Sequence, residues 1–207
     1  MRLKKLPRGF YRRPTIEVAI DLLGNILIFN SPYGKLGGRL VEVEAYIGEA
    51  DPACHACNGM TPRNKIMYGP PGMLYVYFTY GNHYMLNIVT EKEGFPAAVL
   101  LRGLQPLHGI EIMRACRGVR KLTEIASGPG KLAKALGITT EHKGLDLTGN
   151  IIYVADDGAP PGVIWKSSRI GIGDRGPEKL WRFYIKDNPH VSKSSKFVAD
   201  SAEPVAG

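Results

Sequence analysis

The sequence predicts an α+β fold: a single compact domain built on a curved, largely antiparallel sheet, with a protruding β-hairpin and a few flanking helices. Three observations lead there. Segments that alternate apolar and polar side chains outnumber stretches with helical spacing. Several are joined by tight-turn chemistry, which suits antiparallel neighbours rather than parallel crossovers. The 207 residues, 44% of them hydrophobic, contain no repeat, low-complexity tract or linker, so residues 1–207 read as one domain.

In chain order, residues 1–13 form a basic arm: Arg2, Lys4, Lys5, Arg8, Arg12 and Arg13, with no acid. Pro14 to Leu23 reads as a helix with Ile16, Ile20 and Leu23 on one face and Gly24 as its stop. NILIF (25–29) is a strand and SPYGKLGG (31–38) turn chemistry. RLVEVEAYIG (39–48) alternates without a break. Val41, Val43, Ala45 and Ile47 point one way; Leu40, Glu42, Glu44 and Tyr46 point the other, so a half-buried strand with an acidic second face is expected. Residues 48–73 read as one long loop, a length that usually carries function.

LYVYFTYGNHYMLN (74–87) holds four of the ten tyrosines. It reads as a strand, a two-residue Gly81-Asn82 turn and a returning strand from Tyr84 to Val89, which puts Tyr80 at the tip. An aromatic β-core would explain the stretch by itself. AAVLLRGL (97–104) is a further strand and HGIEIMRAC (108–116) a short helix. SGPGKLAKALG (127–137) is a glycine-rich turn opening a helix that ends at Gly137. NIIYVAD, VIWKSSRIGIG (163–173) and LWRFYIKD (180–187) supply more strands, and the polar tail from about 194 to 207 is expected to fray.

Composition narrows the function. No apolar run approaches the roughly 18 residues of a membrane span, so no membrane partner is expected. The basic start lacks the apolar stretch of a signal peptide. That predicts an intracellular protein, in the cytoplasm or nucleoid of a prokaryote or the nucleus of a eukaryote. The net charge of +8 and pI ≈ 9.4 favour a polyanionic partner, of which nucleic acid is the commonest. Cys54, Cys57 and Cys116 are too few and odd in number for a disulfide framework, which suits a reducing compartment.

Several motifs fail on inspection. Pro52 with Cys54-x-x-Cys57 resembles half of the zinc deaminase signature, but no His or Cys precedes it. No H-x₃₋₅-H pair follows to complete a zinc finger. The two cysteines read as incidental, and no metal is expected. SGPGK lacks Gly at 125 and Ser or Thr at 132, so it is not a triphosphate loop. It is either a simple turn or a helix N-terminus able to hold one phosphate beside Lys131. Gly171, Gly173 and Gly176 match G-x-G-x-x-G, but Pro177 and a strand follow where a helix is required. There is no G-x-S-x-G elbow and no H-E-x-x-H. Glu44 reads either as solvent-facing decoration or as a lone acid. With several Tyr and His and many basic residues, a lone acid suits hydrolysis by an activated water, without a metal or redox cofactor.

VEVEAYIG, TPRN, PGMLYVYFTYG, LLRGLQP, SGPGKL and RIGIG…WRFYI, in that order, closely resemble the alkyladenine (3-methyladenine) DNA glycosylase family. The match runs from about Arg12 to Ser192. The resemblance implies a monofunctional enzyme of base-excision repair acting as a monomer on double-stranded DNA that contains damaged purines. It would flip out 3-methyladenine, 7-methylguanine, hypoxanthine or ethenoadenine and hydrolyse the N-glycosidic bond, leaving an abasic site. Glu44 matches the general base and Arg102 a residue that helps hold the water and backbone phosphate. Tyr46 and Tyr77 match the stacking walls, His55 completes the pocket, and Asn87 excludes guanine by crowding its amino group. Tyr80 matches the wedge that fills the vacated stack, and Thr61, Arg63 and Lys131 are expected on the DNA backbone. Cys54 and Cys57, which bracket His55, depart from the family motif. Two other readings compete: a catalytically silent nucleic-acid-binding domain of the same fold, and a hydrolase of free nucleosides.

Overall fold

The computed structural model describes residues 3–205; Arg2 lies outside them. The chain runs through β1 (Lys4–Lys5), α1 (Arg8–Tyr11), α2 (Thr15–Leu22), β2 (Ile26–Ser31) and β3 (Gly34–Ile47). Next come β4 (Leu74–Thr79), β5 (His83–Val89), β6 (Ala97–His108), α3 (Ile110–Arg117) and α4 (Pro129–Leu136). It ends in β7 (Ile152–Asp156), β8 (Ile164–Ser167), β9 (Arg182–Ile185), α5 (Lys196–Asp200) and β10 (Glu203–Pro204). All ten strands join one sheet, in the order β1-β7-β2-β3-β6-β5-β4, with β9, β8 and β10 branching from β3. Every pairing is antiparallel. The α+β domain expected from the alternating segments is the one found.

β3 is the spine. One edge pairs with β6 along nearly its whole length; the other pairs with β2 in its first half and with β9 at Glu42–Glu44. Register shifts on either side of Glu42 mark bulges against β6, and bulges re-aim side chains. Gly103, opposite Glu42, has to be glycine, because a Cβ there would come within 2.9 Å of the Glu42 Cβ. The main core gathers Val41, Val43 and Ala45 of β3 with Leu74, Val76, Leu86, Ile88, Val99 and Leu101. α2 and α4 cover it through Val18, Ala19 and Leu22 and through Leu132, Ala135 and Leu136. A smaller cluster on the opposite side joins Tyr75, Val89 and Ala98 to Cys54, Ala56 and Met67 of the long loop.

Five expectations are corrected. The second face of β3 is not half-exposed: Glu42 and Glu44 are wholly buried, because β9 and the segment after β8 close over them. α2 buries Thr15, Val18, Ala19 and Leu22, an i, i+3, i+4, i+7 stripe beside the expected one; Ile16 and Ile20 flank the core. The positive-φ pair of the hairpin turn is Tyr80 (φ 53) and Gly81 (φ 69), with Asn82 N donating to the Thr79 carbonyl at 3.3 Å. The turn therefore sits one residue earlier than the Gly81-Asn82 signal suggests. The segment 163–173 is a strand only to Ser167; its glycine-rich half turns away as a loop. The tail does not fray within the described residues. Ser195 caps α5, the Ser201 hydroxyl accepts from Ser168 N at 2.9 Å, and β10 pairs with β8.

The basic arm is likewise packed into the fold: β1 pairs with β7, and Leu6 and Tyr11 are buried. The long loop is not bare coil, since Lys65–Tyr68 forms a 3-10 turn.

Candidate active site

A cleft of about 390 Å³ opens between the tyrosine hairpin, the long loop, the N-terminus of α4 and the loop after β8. That size falls in the range of small-molecule sites, roughly 300–1,000 Å³. Tyr46, His55, Arg63, Tyr77, Tyr80, Asn87 and Arg102 all line it, although they come from five separate parts of the chain.

Glu44 lies beneath Tyr46, Arg102 and Ile170, its side chain completely shielded. Three donors hold its carboxylate. Ile170 N donates to Oε1 at 2.7 Å, and the Tyr46 hydroxyl and an Arg102 terminal nitrogen donate to Oε2 at 2.8 and 3.2 Å. A carboxylate offers about four lone-pair sites, so one is left for a further donor. Burial, then the Glu44 charge, push the Tyr46 phenol well above its ordinary range, which keeps its proton on the phenol and aimed at Glu44.

The aromatic walls are tightly coupled. The His55 and Tyr77 rings meet edge-on with centroids 4.4 Å apart, and Tyr75 and Tyr77 are 5.3 Å apart. His55 Nδ1 and the Tyr75 hydroxyl are hydrogen-bonded at 2.9 Å. His55 keeps one side in solvent, but desolvation of the packed side, helped by Arg63 and Arg175, lowers its imidazole to about 4. The ring is neutral at pH 7. Asn87 donates through Nδ2 to the Tyr75 carbonyl at 3.1 Å, which fixes its side chain at the cleft wall.

Tyr80 stands at the hairpin tip, 77% exposed. Arg63 lies on the rim, its guanidinium 5.1 Å from the Tyr77 ring and bonded to the Phe78 carbonyl at 3.2 Å. Thr61 and Lys131 are not part of the cleft lining. Thr61 is exposed but tied into a turn: its N–H donates to Asn64 Oδ1 at 2.6 Å, and its hydroxyl accepts from Asn64 N at 3.3 Å. Lys131 is on the exposed side of α4. Cys54 and Cys57 are free thiols; burial pushes Cys54 up to about 11, so it is an inert packing residue.

Four residues central to this geometry had no reading of their own in the sequence. Asp51 and Arg169 form a fully buried fork, with Arg169 nitrogens 2.6 and 2.8 Å from the Asp51 oxygens. Arg169 also donates to the Ala45 carbonyl at 2.9 Å and lies 4.7 Å from the Tyr46 ring and 5.1 Å from that of Trp181. The pair ties the end of β3 to the His55 loop and to the Ile170 segment. Asn64 locks the same loop by donating to the His55 and Gly59 carbonyls at 2.8 and 3.0 Å. Ile170 serves through its backbone alone. The only sequence signal was RIGIG, whose spacing pointed to a dinucleotide; its real use is to turn the chain over Glu44.

A buried carboxylate under an aromatic-walled, base-sized cleft with arginines on its rim describes a hydrolase that acts on a flat ring attached to a polyanion. Residues 9–189 match the family model for methylpurine-DNA glycosylase (MPG). Proteins from Methanocella arvoryzae, Chlorobaculum parvum and Chlorobaculum tepidum, each named "Putative 3-methyladenine DNA glycosylase", are 51%, 50% and 47% identical to this chain. The alignments cover 91%, 92% and 93% of this chain and 96%, 91% and 92% of theirs. The chain belongs to the methylpurine-DNA glycosylase family, hydrolases of N-glycosyl bonds in the repair of alkylated DNA.

Proposed function

We propose that this enzyme is a DNA-3-methyladenine glycosylase that extrudes a damaged purine into the cleft and hydrolyses its N-glycosidic bond with a water activated by Glu44. The observation that carries the reading is the Glu44 carboxylate: buried beneath the cleft residues Tyr46, Arg102 and Ile170, held by three donors, and with one acceptor position left over. In the reaction Glu44 takes a proton from the water as its oxygen bonds to C1′. The C1′–N bond breaks and its electron pair leaves with the base. Ile170 N, Tyr46 and Arg102 fix the carboxylate in a single orientation, so little reorganisation is needed at the transition state.

Recognition follows from the walls. Tyr46, Tyr77 and the neutral His55 present flat faces for stacking; Asn87, fixed by its bond to Tyr75, crowds a purine that carries an extra amino group. Tyr80 enters the duplex and recovers part of the stacking lost when the nucleotide leaves it. Arg63, with Thr61 and Lys131 further out, meets the backbone phosphates. Alkylated purines, hypoxanthine and ethenoadenine fit this description, and a monomer suffices for it.

The test is a duplex oligonucleotide with one hypoxanthine or ethenoadenine, read as alkali-labile strand breaks, beside the free deoxynucleoside. Breaks at the lesion and a steep loss of binding between about 50 and 200 mM salt, through counterion release, are expected. Cleavage of the free nucleoside with the duplex left intact would overturn the proposal.

A further inference from the structure

Two residues before Glu44, and on the same side of β3 by strand parity, a second carboxylate is buried away from the cleft. Glu42 Oε1 accepts from Arg102 Nε at 3.1 Å, Arg182 Nε at 2.7 Å and the Ser192 hydroxyl at 2.8 Å; its Oε2 accepts from Ser192 N at 2.7 Å. Burial would push this acid up, but Arg102 and then Arg182 outweigh it and hold it below its ordinary range, so Glu42 stays ionised.

Arg102 is thus shared. Its Nε is committed to Glu42 and a terminal nitrogen to Glu44. A guanidinium is a rigid plane, so the grip on one end decides where the other end points. The charges also balance: two carboxylates, Glu42 and Glu44, face two guanidiniums, Arg102 and Arg182.

We propose that Glu42 is a positioning residue for the reaction: it holds Arg102 by Nε, which fixes the terminal nitrogen of Arg102 on Glu44, and it offsets the charge of Arg102 and Arg182. This rests on the reading of Glu44 as the base. The other charged or titratable groups facing Glu44 are Tyr46 on β3, Tyr77 on β4, Arg182 on β9 at the register position opposite it, and Arg169 from the loop after β8. None of them carries a negative charge at neutral pH. Arg169 is already paired with Asp51, so among the described residues Glu42 is the carboxylate that offsets Arg102 and Arg182 beside Glu44.

The test is the single-turnover rate of excision of hypoxanthine from a duplex, measured against pH for Glu42→Gln and Arg182→Gln. In Glu42→Gln the uncompensated arginines favour the ionised form of Glu44. Its acid limb moves to lower pH, and the plateau rate falls because the base is weaker. In Arg182→Gln the limb moves to higher pH. Packing damage alone would lower stability, or the rate at every pH, without producing shifts of opposite sign. Unmoved limbs in the folded variants would overturn the proposal. If Glu42→Gln does not fold, the upward shift in Arg182→Gln supports it and the absence of that shift overturns it. Glu44→Gln on the same duplex separates the two ideas. If it is inactive while the limbs stay put, only the role of Glu42 falls; if it is active, the reading of Glu44 as base falls.

Discussion

Replacing Arg169 by Met should be among the most damaging single changes to the fold outside the apolar core. The side chain is completely buried against an equally buried Asp51. Met fills much of the same space but leaves Asp51 with only the Ile47 and Ala53 N–H groups, both at 3.2 Å. Breaking one side of a buried pair costs about 3–5 kcal/mol, whereas removing both charges is close to neutral. Over 207 residues an unfolding entropy of roughly 2.1 cal/mol/K per residue gives about 0.43 kcal/mol/K, so the single variant should melt about 7–12 °C below wild type. The assay is thermal unfolding followed by circular dichroism, with Asp51→Asn/Arg169→Met alongside. The double variant should recover most of the loss, because no buried charge is left unpaired. A single variant within about 1 kcal/mol of wild type, or a double variant as unstable as the single, would show that the Asp51–Arg169 pairing does not carry this stability.

Three further outcomes follow from the site. His55 is lowered in the folded state to about 4 from an ordinary value of 6.5, so the unfolded chain binds its proton first. The contribution of His55 to stability is complete above pH 6.5 and lost as the pH falls towards 4, and denaturant titrations of His55→Gln should lack that component. Tyr80→Ala should leave the melting temperature nearly unchanged, since the ring is in solvent. It should weaken binding to a lesion duplex by about 1–3 kcal/mol, the worth of one stacked ring; equal affinity would remove Tyr80 from the wedge role. Asn87→Ser should raise excision of guanine relative to hypoxanthine, measured on matched duplexes, and an unchanged ratio would place guanine discrimination elsewhere.

Alternation along the chain revealed β3, alternation with a turn signal the tyrosine hairpin, an apolar run β6, and capping chemistry α4 and its end at Gly137. These are local signals. The same alternation misjudged the face of β3 that bears Glu42 and Glu44, because parity says which residues share a face and not what covers it. The cover comes from Arg102 and Arg182, 60 and 140 residues beyond Glu42. For the same reason the Asp51–Arg169 fork, spanning 118 residues, had no sequence signature. The polar tail was expected to fray because its composition resembles a free end. Ser195, Ser201 and the open edge of β8 give those polar groups partners that composition does not reveal. Tyr46, His55, Tyr77, Asn87 and Arg102, and Glu44 beneath them, were legible through resemblance to a family; the fold brings the first five around one cavity. Glu42, Asp51, Asn64 and Arg169, which hold them there, became visible only with the fold.

The most direct test of the central claim is single-turnover excision of hypoxanthine from a duplex by wild type and Glu44→Gln, with binding to an abasic-site duplex measured on both. Gln keeps the shape and its one amide oxygen can still accept from Tyr46 and Arg102 on the Oε2 side, but its NH2 cannot accept from Ile170 N and it cannot take a proton. Glu44→Gln should bind the abasic duplex with wild-type affinity and excise the base at least about 10²–10⁴-fold more slowly, the usual worth of a general base. Excision at a rate close to wild type, with binding intact, would contradict it.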